Sequence, residues 1–211
     1  MNILNSEKVV YKALEELDKA FFALGVNHIE LNVVGGFALI LHGIRYSDYT
    51  DIDYIGADLP INLREIVDDI GIRHGLGRGW VNSDVLLAGS NLEELEAITG
   101  KLVFLHAFDL KVITINVLDK RCLLRMKVLA VDTSFSGMGS GNEFDRFKDF
   151  EDIYLLMEHL GMSMNDLVRE TFEYVLSPEI FHLIRYYVNT KDPGIFLNGK
   201  WKLIIENKGE L

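Results

Sequence analysis

Apolar residues recur along the chain with two periods, and the switches between them mark out its elements. Val10, Leu14, Leu17, Phe21 and Leu24 repeat at spacings of three and four, which predicts a helix from Ser6 to Leu24 with one buried stripe and Gly25 as its stop. Ile29 to Val34 reads as a short buried strand running into Gly35-Gly36 and an apolar helical stretch, Phe37 to Leu41, that ends near His42-Gly43. After a polar loop over 44–50, strand alternation resumes from Asp51 to Ile55, and a helix is expected over Leu63 to Ile72.

Three glycines between Gly75 and Gly79, flanked by Arg73 and Arg78, mark a loop, and no period assigns Val81 to Ala88. Asn91 to Ile98 reads as a short helix with Asn91 as N-cap and Glu93 and Glu94 in its first turn. Leu102 to Ala107 and Val112 to Leu118, joined at Phe108 to Lys111, have the pattern of an antiparallel hairpin. Helical character returns over Leu118 to Val131. Thr133 to Asn142 is rich in serine and glycine without apolar period, and as a connection it divides the chain into residues 1–132 and 143–211. Beyond it, amphipathic helices are expected over Phe147–Leu160, over Met164–Leu176 after a Ser163 cap, and over Pro178–Val188. Asn198-Gly199 signals a terminal hairpin within Ile195–Ile205. The expected class is α/β (α+β): a small mixed sheet flanked by helices, with a helical C-terminal extension.

At 211 residues the chain suffices for one such domain and its extension without covalent staples. Its single cysteine, Cys122, excludes an intrachain disulfide or a cysteine zinc site and is expected to pack. A formal charge of −11 without a lysine- or arginine-rich block disfavours a long nucleic-acid duplex as partner. It leaves room for a nucleotide or a short RNA end, because a bound metal and a few cations reverse the field inside one cleft. There is no secretory pattern and no apolar run near the roughly 18 to 20 residues of a membrane span, so a cytoplasmic location is expected. The nucleophile elbow, the Walker phosphate loop and the dinucleotide fingerprint are all absent, which removes those enzyme classes.

The densest chemistry lies in Val33-Val34-Gly35-Gly36-Phe37-Ala38, then His42-Gly43 and Arg45, then Thr50-Asp51-Ile52-Asp53-Tyr54. Adjacent glycines between strand and helix let backbone approach a phosphate closely, at a helix start with unpaired N–H groups. Asp51 and Asp53 alternate by two on a strand, so both carboxylates leave one face and can converge on a hard cation such as magnesium. Either motif alone occurs in ordinary turns; the functional reading rests on their combination.

These residues resemble the nucleotidyltransferase superfamily of the DNA polymerase β type, and within it the minimal bacterial and archaeal members, some of them toxins of toxin–antitoxin or abortive-infection systems. In that family a Gly-Gly or Gly-Ser turn precedes an Asp-x-Asp strand by roughly ten to fifteen positions, which maps onto Gly35, Gly36, Asp51 and Asp53. The resemblance spans about the first 120 residues and implies a nucleotidyltransferase fold. It also implies that Asp51 and Asp53 hold Mg2+ or Mn2+, with Arg45 and Thr50 on the substrate side. A Lys-hydrophobic-hydrophobic-Ala helix and a Lys/Arg-Asp-x-x-Asp segment of the toxin-like branch map onto Lys127 and onto Asp149 and Asp152. By that resemblance Lys127 contacts triphosphate oxygens, and Asp149 or Asp152 anchors Lys127 or assists at the nucleophile.

Two departures stand out. Where many members carry a third acid on a later strand, this chain has Asn116, which cannot act as a carboxylate base; that leaves weak activity, reliance on another acid such as Asp109 or Asp119, or loss of activity. Arg45 also lies further from Asp51 than the four residues found in relatives. The expected activity is transfer of NMP from a nucleoside triphosphate to a hydroxyl on a protein, an RNA end or a small molecule such as an aminoglycoside. The implied partner is an antitoxin or a second copy of the chain. The alternative is a catalytically inactive module of the same fold that binds a nucleotide or a protein.

Overall fold

The computed structural model describes residues 6–45, 50–83, 96, 100–135, 147–171, 175 and 177–192. They fall into two compact units, one drawn from Met1–Leu86 and Leu102–Asp119, the other from Leu87–Lys101 and Lys120–Leu211. The chain is of mixed α/β class: among the described residues the first unit holds a five-stranded mixed sheet and three helices, the second four helices.

The first unit runs α1 (Ser6–Ala23), β1 (Ile29–Val33), α2 (Gly35–Leu41), β2 (Ile52–Ile55), α3 (Ile61–His74), β3 (Val81–Asn82), β4 (Phe104–Asp109) and β5 (Ile113–Leu118). Strand order is β3-β2-β1-β5-β4. β1 is antiparallel to β2 and parallel to β5, β3 is parallel to β2, and β4 is antiparallel to β5.

Alternation gives the sheet an apolar and a polar face. Leu31, Val33, Ile52, Tyr54, Ile113 and Ile115 are buried, as are Val10, Leu14, Leu17 and Phe21 of α1 and Val67 and Ile70 of α3. Each such side chain contributes about 1.5–3 kcal/mol by leaving water. The register puts Glu30 opposite Thr114 and Asn32 opposite both Asn116 and Ile55, so these residues share the other face. Leu24, expected to close the α1 stripe, is instead 58% exposed, because the helix ends at Ala23 and Gly25 turns the chain at φ +77°.

Two buried polar contacts fix this unit. Asp18 of α1 accepts the backbone N–H groups of Lys111 (3.2 Å), Val112 (2.8 Å) and Ile113 (3.1 Å), tying the helix to the start of β5. Trp80, only 1% exposed, donates from Nε1 to the Val67 carbonyl at 2.7 Å and so sets β3, in the stretch that no sequence period assigns. A Cβ on Gly71 would run into the Trp80 ring and the Gly77 carbonyl, so α3 accommodates the indole only with glycine there.

The first strand of the hairpin lies two residues further along the chain than its sequence pattern, at Phe104–Asp109 in place of Leu102–Ala107. Its register slips between His106 and Phe108, which inserts one residue, carries β4 to Asp109 and moves the turn to 110–112. Leu105 opposite Val117 and Phe108 opposite Ile115 consequently share the apolar face.

The second unit contains α4 (Lys120–Phe135), α5 (Phe147–Leu160), α6 (Met164–Thr171) and α7 (Glu179–Thr190). The sequence pattern groups α4 with the sheet in residues 1–132. The compact units divide instead between Asp119 and Lys120, because the apolar positions of α4, such as Leu124 and Val128, pack with α5. Ser163 caps α6 reciprocally: its Oγ accepts the Asp166 N–H at 3.2 Å while Asp166 Oδ2 accepts the Ser163 N–H at 2.9 Å. Tyr187 lies 5.7 Å from Phe147 and 6.1 Å from Phe150, centroid to centroid, which makes this aromatic group core. Cys122 is buried as well. The helix expected over 91–98, Glu96 apart, lies outside the described residues, as do 136–146 and the terminal hairpin. Among the described residues no helix is long and apolar enough to cross a membrane.

Candidate functional site

β1 delivers the chain to Gly35, which opens α2 at φ +65°. The Val34 N–H donates to the Asp53 carbonyl at 2.9 Å and locks the end of β1 to β2. A Cβ on Gly35 would collide with Asp53 Oδ2 and stand 3.3 Å from Asp53 Cβ and Cγ. Only glycine combines that left-handed φ with so close an approach to a carboxylate. Gly36 is buried, and the N-cap residue Val34 makes no side-chain capping hydrogen bond.

Asp51 is exposed just before β2 and Asp53 half-buried within it, while Ile52 and Tyr54 turn to the core. Alternation therefore puts both carboxylates on the polar face. Thr50 is exposed beside Asp51. Arg45 follows α2, its N–H on the Leu39 carbonyl at 3.3 Å, and residues 46–49 between it and Thr50 are outside the described set.

Magnesium takes one or two carboxylates together with phosphate oxygens and waters. Asp51 and Asp53 offer that donor set, and manganese accepts the same oxygens. Among the described residues no group of three or more His, Cys, Asp or Glu side chains is arranged to hold a metal ion.

Asn116 shares the face of Asp53 but stands two strands and two residues from it, about 12 Å by strand spacing and rise. Its Nδ2 donates to Glu30 Oε1 at 2.7 Å and to Asn32 Oδ1 at 3.1 Å. Sequence reasoning missed Glu30 and Asn32, although their alternation with Leu31 and Val33 was the available signal. Glu30 is four residues along β1 from Val34, about 13 Å from the level of Asp53. Asp109 belongs to that same far end, bonded by Thr114 Oγ1 at 2.7 Å. Asp119 instead follows Leu118 at the end of the sheet that carries Val34 and Asp53. There His42 Nε2 bonds the Leu118 carbonyl at 2.7 Å, a packing and capping role for this histidine at the C-terminus of α2.

In the second unit the structure joins the other three sequence candidates. Lys127 Nζ lies 2.6 Å from Asp149 Oδ1 and 2.8 Å from Asp152 Oδ2, linking α4 to α5. The three side chains are 11%, 9% and 0% exposed. Asp149 and Asp152 thus anchor Lys127, as a spacing of three on one helix face allows. A further buried carboxylate that the sequence did not flag, Asp132, accepts the Ser177 N–H at 2.9 Å.

Beside Asp53, Tyr54 turns its ring inward and donates from its hydroxyl to the Ala57 carbonyl at 3.2 Å. Burial pushes the phenol above its ordinary value, so it stays a neutral hydroxyl at physiological pH. No protein-family model matches the chain, and neither does any curated protein or solved structure.

Proposed function

We propose that the chain is a magnesium-dependent nucleotidyltransferase that moves NMP from a nucleoside triphosphate to a hydroxyl acceptor, acting in the cytoplasm. The observation that carries this reading is the contact between Gly35 and the Asp53 carboxylate, with Asp51 two residues earlier on the same face. It joins the glycine turn and the Asp-x-Asp strand, fifteen positions apart from Gly36 to Asp51, into one locality. Asp51 and Asp53 would hold the metal, and Gly35 and Gly36 would bring backbone N–H groups to the phosphates. Bound there, the metal supplies neutralisation of the charge that develops on the leaving pyrophosphate. Lys127 is read as the cation that Asp149 and Asp152 anchor.

Asn116 favours a second reading, a nucleotide-binding module without turnover. Its amide donates to Glu30 and Asn32 where a carboxylate would otherwise stand. Calorimetric titration of Mg2+ with each of the four NTPs, on the native chain and on Asp51→Ala/Asp53→Ala, tests the site both readings share. Metal-dependent binding is expected in the native protein alone. Binding without label transfer to protein, RNA or aminoglycoside acceptors would favour the module, and no binding by a folded native chain would end both.

A further inference from the structure

A cavity of about 180 Å³ opens in the first unit where α3 faces the β2–β3 edge. Its walls are apolar on one side, with Tyr54, Leu59, Val67 and Val81, and polar on the other. Most of that polar equipment is engaged internally. Asp58 accepts from Ser83 Oγ and, at 3.0 Å, from Arg64; Arg64 Nε donates to the Leu59 carbonyl at 2.7 Å; Asn82 Nδ2 donates to the Gly79 carbonyl at 3.2 Å.

Asp68 differs. Its Oδ1 is fixed by the Gly79 N–H at 2.8 Å, and its Oδ2 has no protein partner among the described residues. Asp68, a lining residue, therefore brings to the cavity a carboxylate held at one oxygen, alongside an apolar surface that includes an aromatic ring. Two carboxylates against one guanidinium make the lining net negative, which repels phosphate and favours N–H donors. The volume lies below the roughly 300 Å³ at which pockets take a whole drug-sized ligand, so it suits one ring rather than an entire nucleotide. Asn82 on the rim pairs in register with Asp53, whereas Tyr54 and Val81 line the cavity from the face opposite the Asp51 and Asp53 carboxylates, so a ligand reaching both would pass round the β3 edge of the sheet.

We propose that this cavity is a binding subsite for a single ring that carries N–H donors, held by Asp68. The ring belongs either to the nucleobase of the triphosphate or to an amine-bearing acceptor. That assignment to a substrate rests on the nucleotidyltransferase reading, whereas the binding itself does not.

The test titrates adenosine, guanosine, cytidine, uridine and the diaminocyclitol 2-deoxystreptamine, without metal or phosphate, into three proteins: native, Asp68→Asn and Asp51→Ala/Asp53→Ala. Asparagine at 68 keeps a carbonyl for the Gly79 N–H but turns an amide donor toward the cavity. At least one probe should bind the native and double-variant proteins equally, shift the Val67 and Val81 methyl resonances, and lose about tenfold or more in affinity with Asp68→Asn. Nucleoside binding would assign the ring to the triphosphate, and 2-deoxystreptamine binding would assign it to the acceptor. If adenosine is the binder, purine riboside, which lacks the exocyclic amine, should be weaker on the native protein, a comparison that needs no variant. Failure of every probe, or an affinity unmoved by Asp68→Asn, would overturn the subsite even if Mg–NTP still bound. Probe binding in a native protein that takes no Mg–NTP would overturn the transferase reading and leave the subsite standing.

Discussion

The carboxylate of Asp53 occupies the space that a side chain on Gly35 would need. Gly35→Ala must therefore both adopt a left-handed φ and displace Asp53, at a cost of about 2–4 kcal/mol. Urea unfolding should register that loss, and calorimetry should register weakened Mg–NTP binding. An alanine variant as stable as the native chain would contradict the contact.

Lys127 holds two carboxylates that are nearly out of water. Lys127→Met leaves them without this cation and is expected to destabilise the chain by about 3–5 kcal/mol. Combining it with Asp149→Asn and Asp152→Asn should recover part of that loss, because the like charges go with their partner. Additive losses in denaturant melts would argue against a shared brace.

Asp18 accepts three successive backbone N–H groups at the start of β5. Asp18→Ala orphans donors in a buried place, and a loss of about 3–5 kcal/mol is expected from hydrogen bonds to a charged group. Hydrogen exchange of the Val112 and Ile113 amides should accelerate more than that of Leu31 or Val33. Equal acceleration throughout would mean that Asp18 does not act locally.

Glu16 of α1 meets His74 of α3 at 2.7 Å and also pairs with Arg73. The hydrogen bond from His74, helped by the charge of Arg73, holds the Glu16 carboxyl below its ordinary value. A carboxyl lowered on folding gives stability that is present above the unfolded glutamate value, about 4.3, and lost as pH falls through the lower folded value. The native chain should therefore lose stability faster than Glu16→Gln on descending below about pH 4. Thermal melts from pH 6 to pH 3 check this, and parallel curves would remove Glu16 from the acid response.

The long periodic elements were legible because side-chain spacing alone specifies a buried stripe. α1 and α5 follow their apolar positions closely, and β5 follows its alternation. What sequence could not yield were features made by partners distant in the chain. Two residues carry no period, so β3 emerges only from the seating of Trp80 under α3. The Glu30–Asn116 contact joins residues 86 positions apart through a parallel pair. Asp51 and Asp53 were readable as a pair, and their closeness to Gly35 was not, since it depends on the antiparallel turn-back of β2 on β1. The placement of α4 with α5 likewise depends on which surface its apolar face meets.

The slipped residue in β4 has a consequence for the rim of the sheet. Among the described residues β4 is an outermost strand of the sheet, with Leu105 exposed at 44%, the sort of margin onto which a neighbouring chain can zip. A ladder laid against it would match as far as His106 and then meet one amino acid too many at Ala107. The irregularity in β4 thus serves as a frayed hem, and removing Ala107 would straighten it into a template for aggregation.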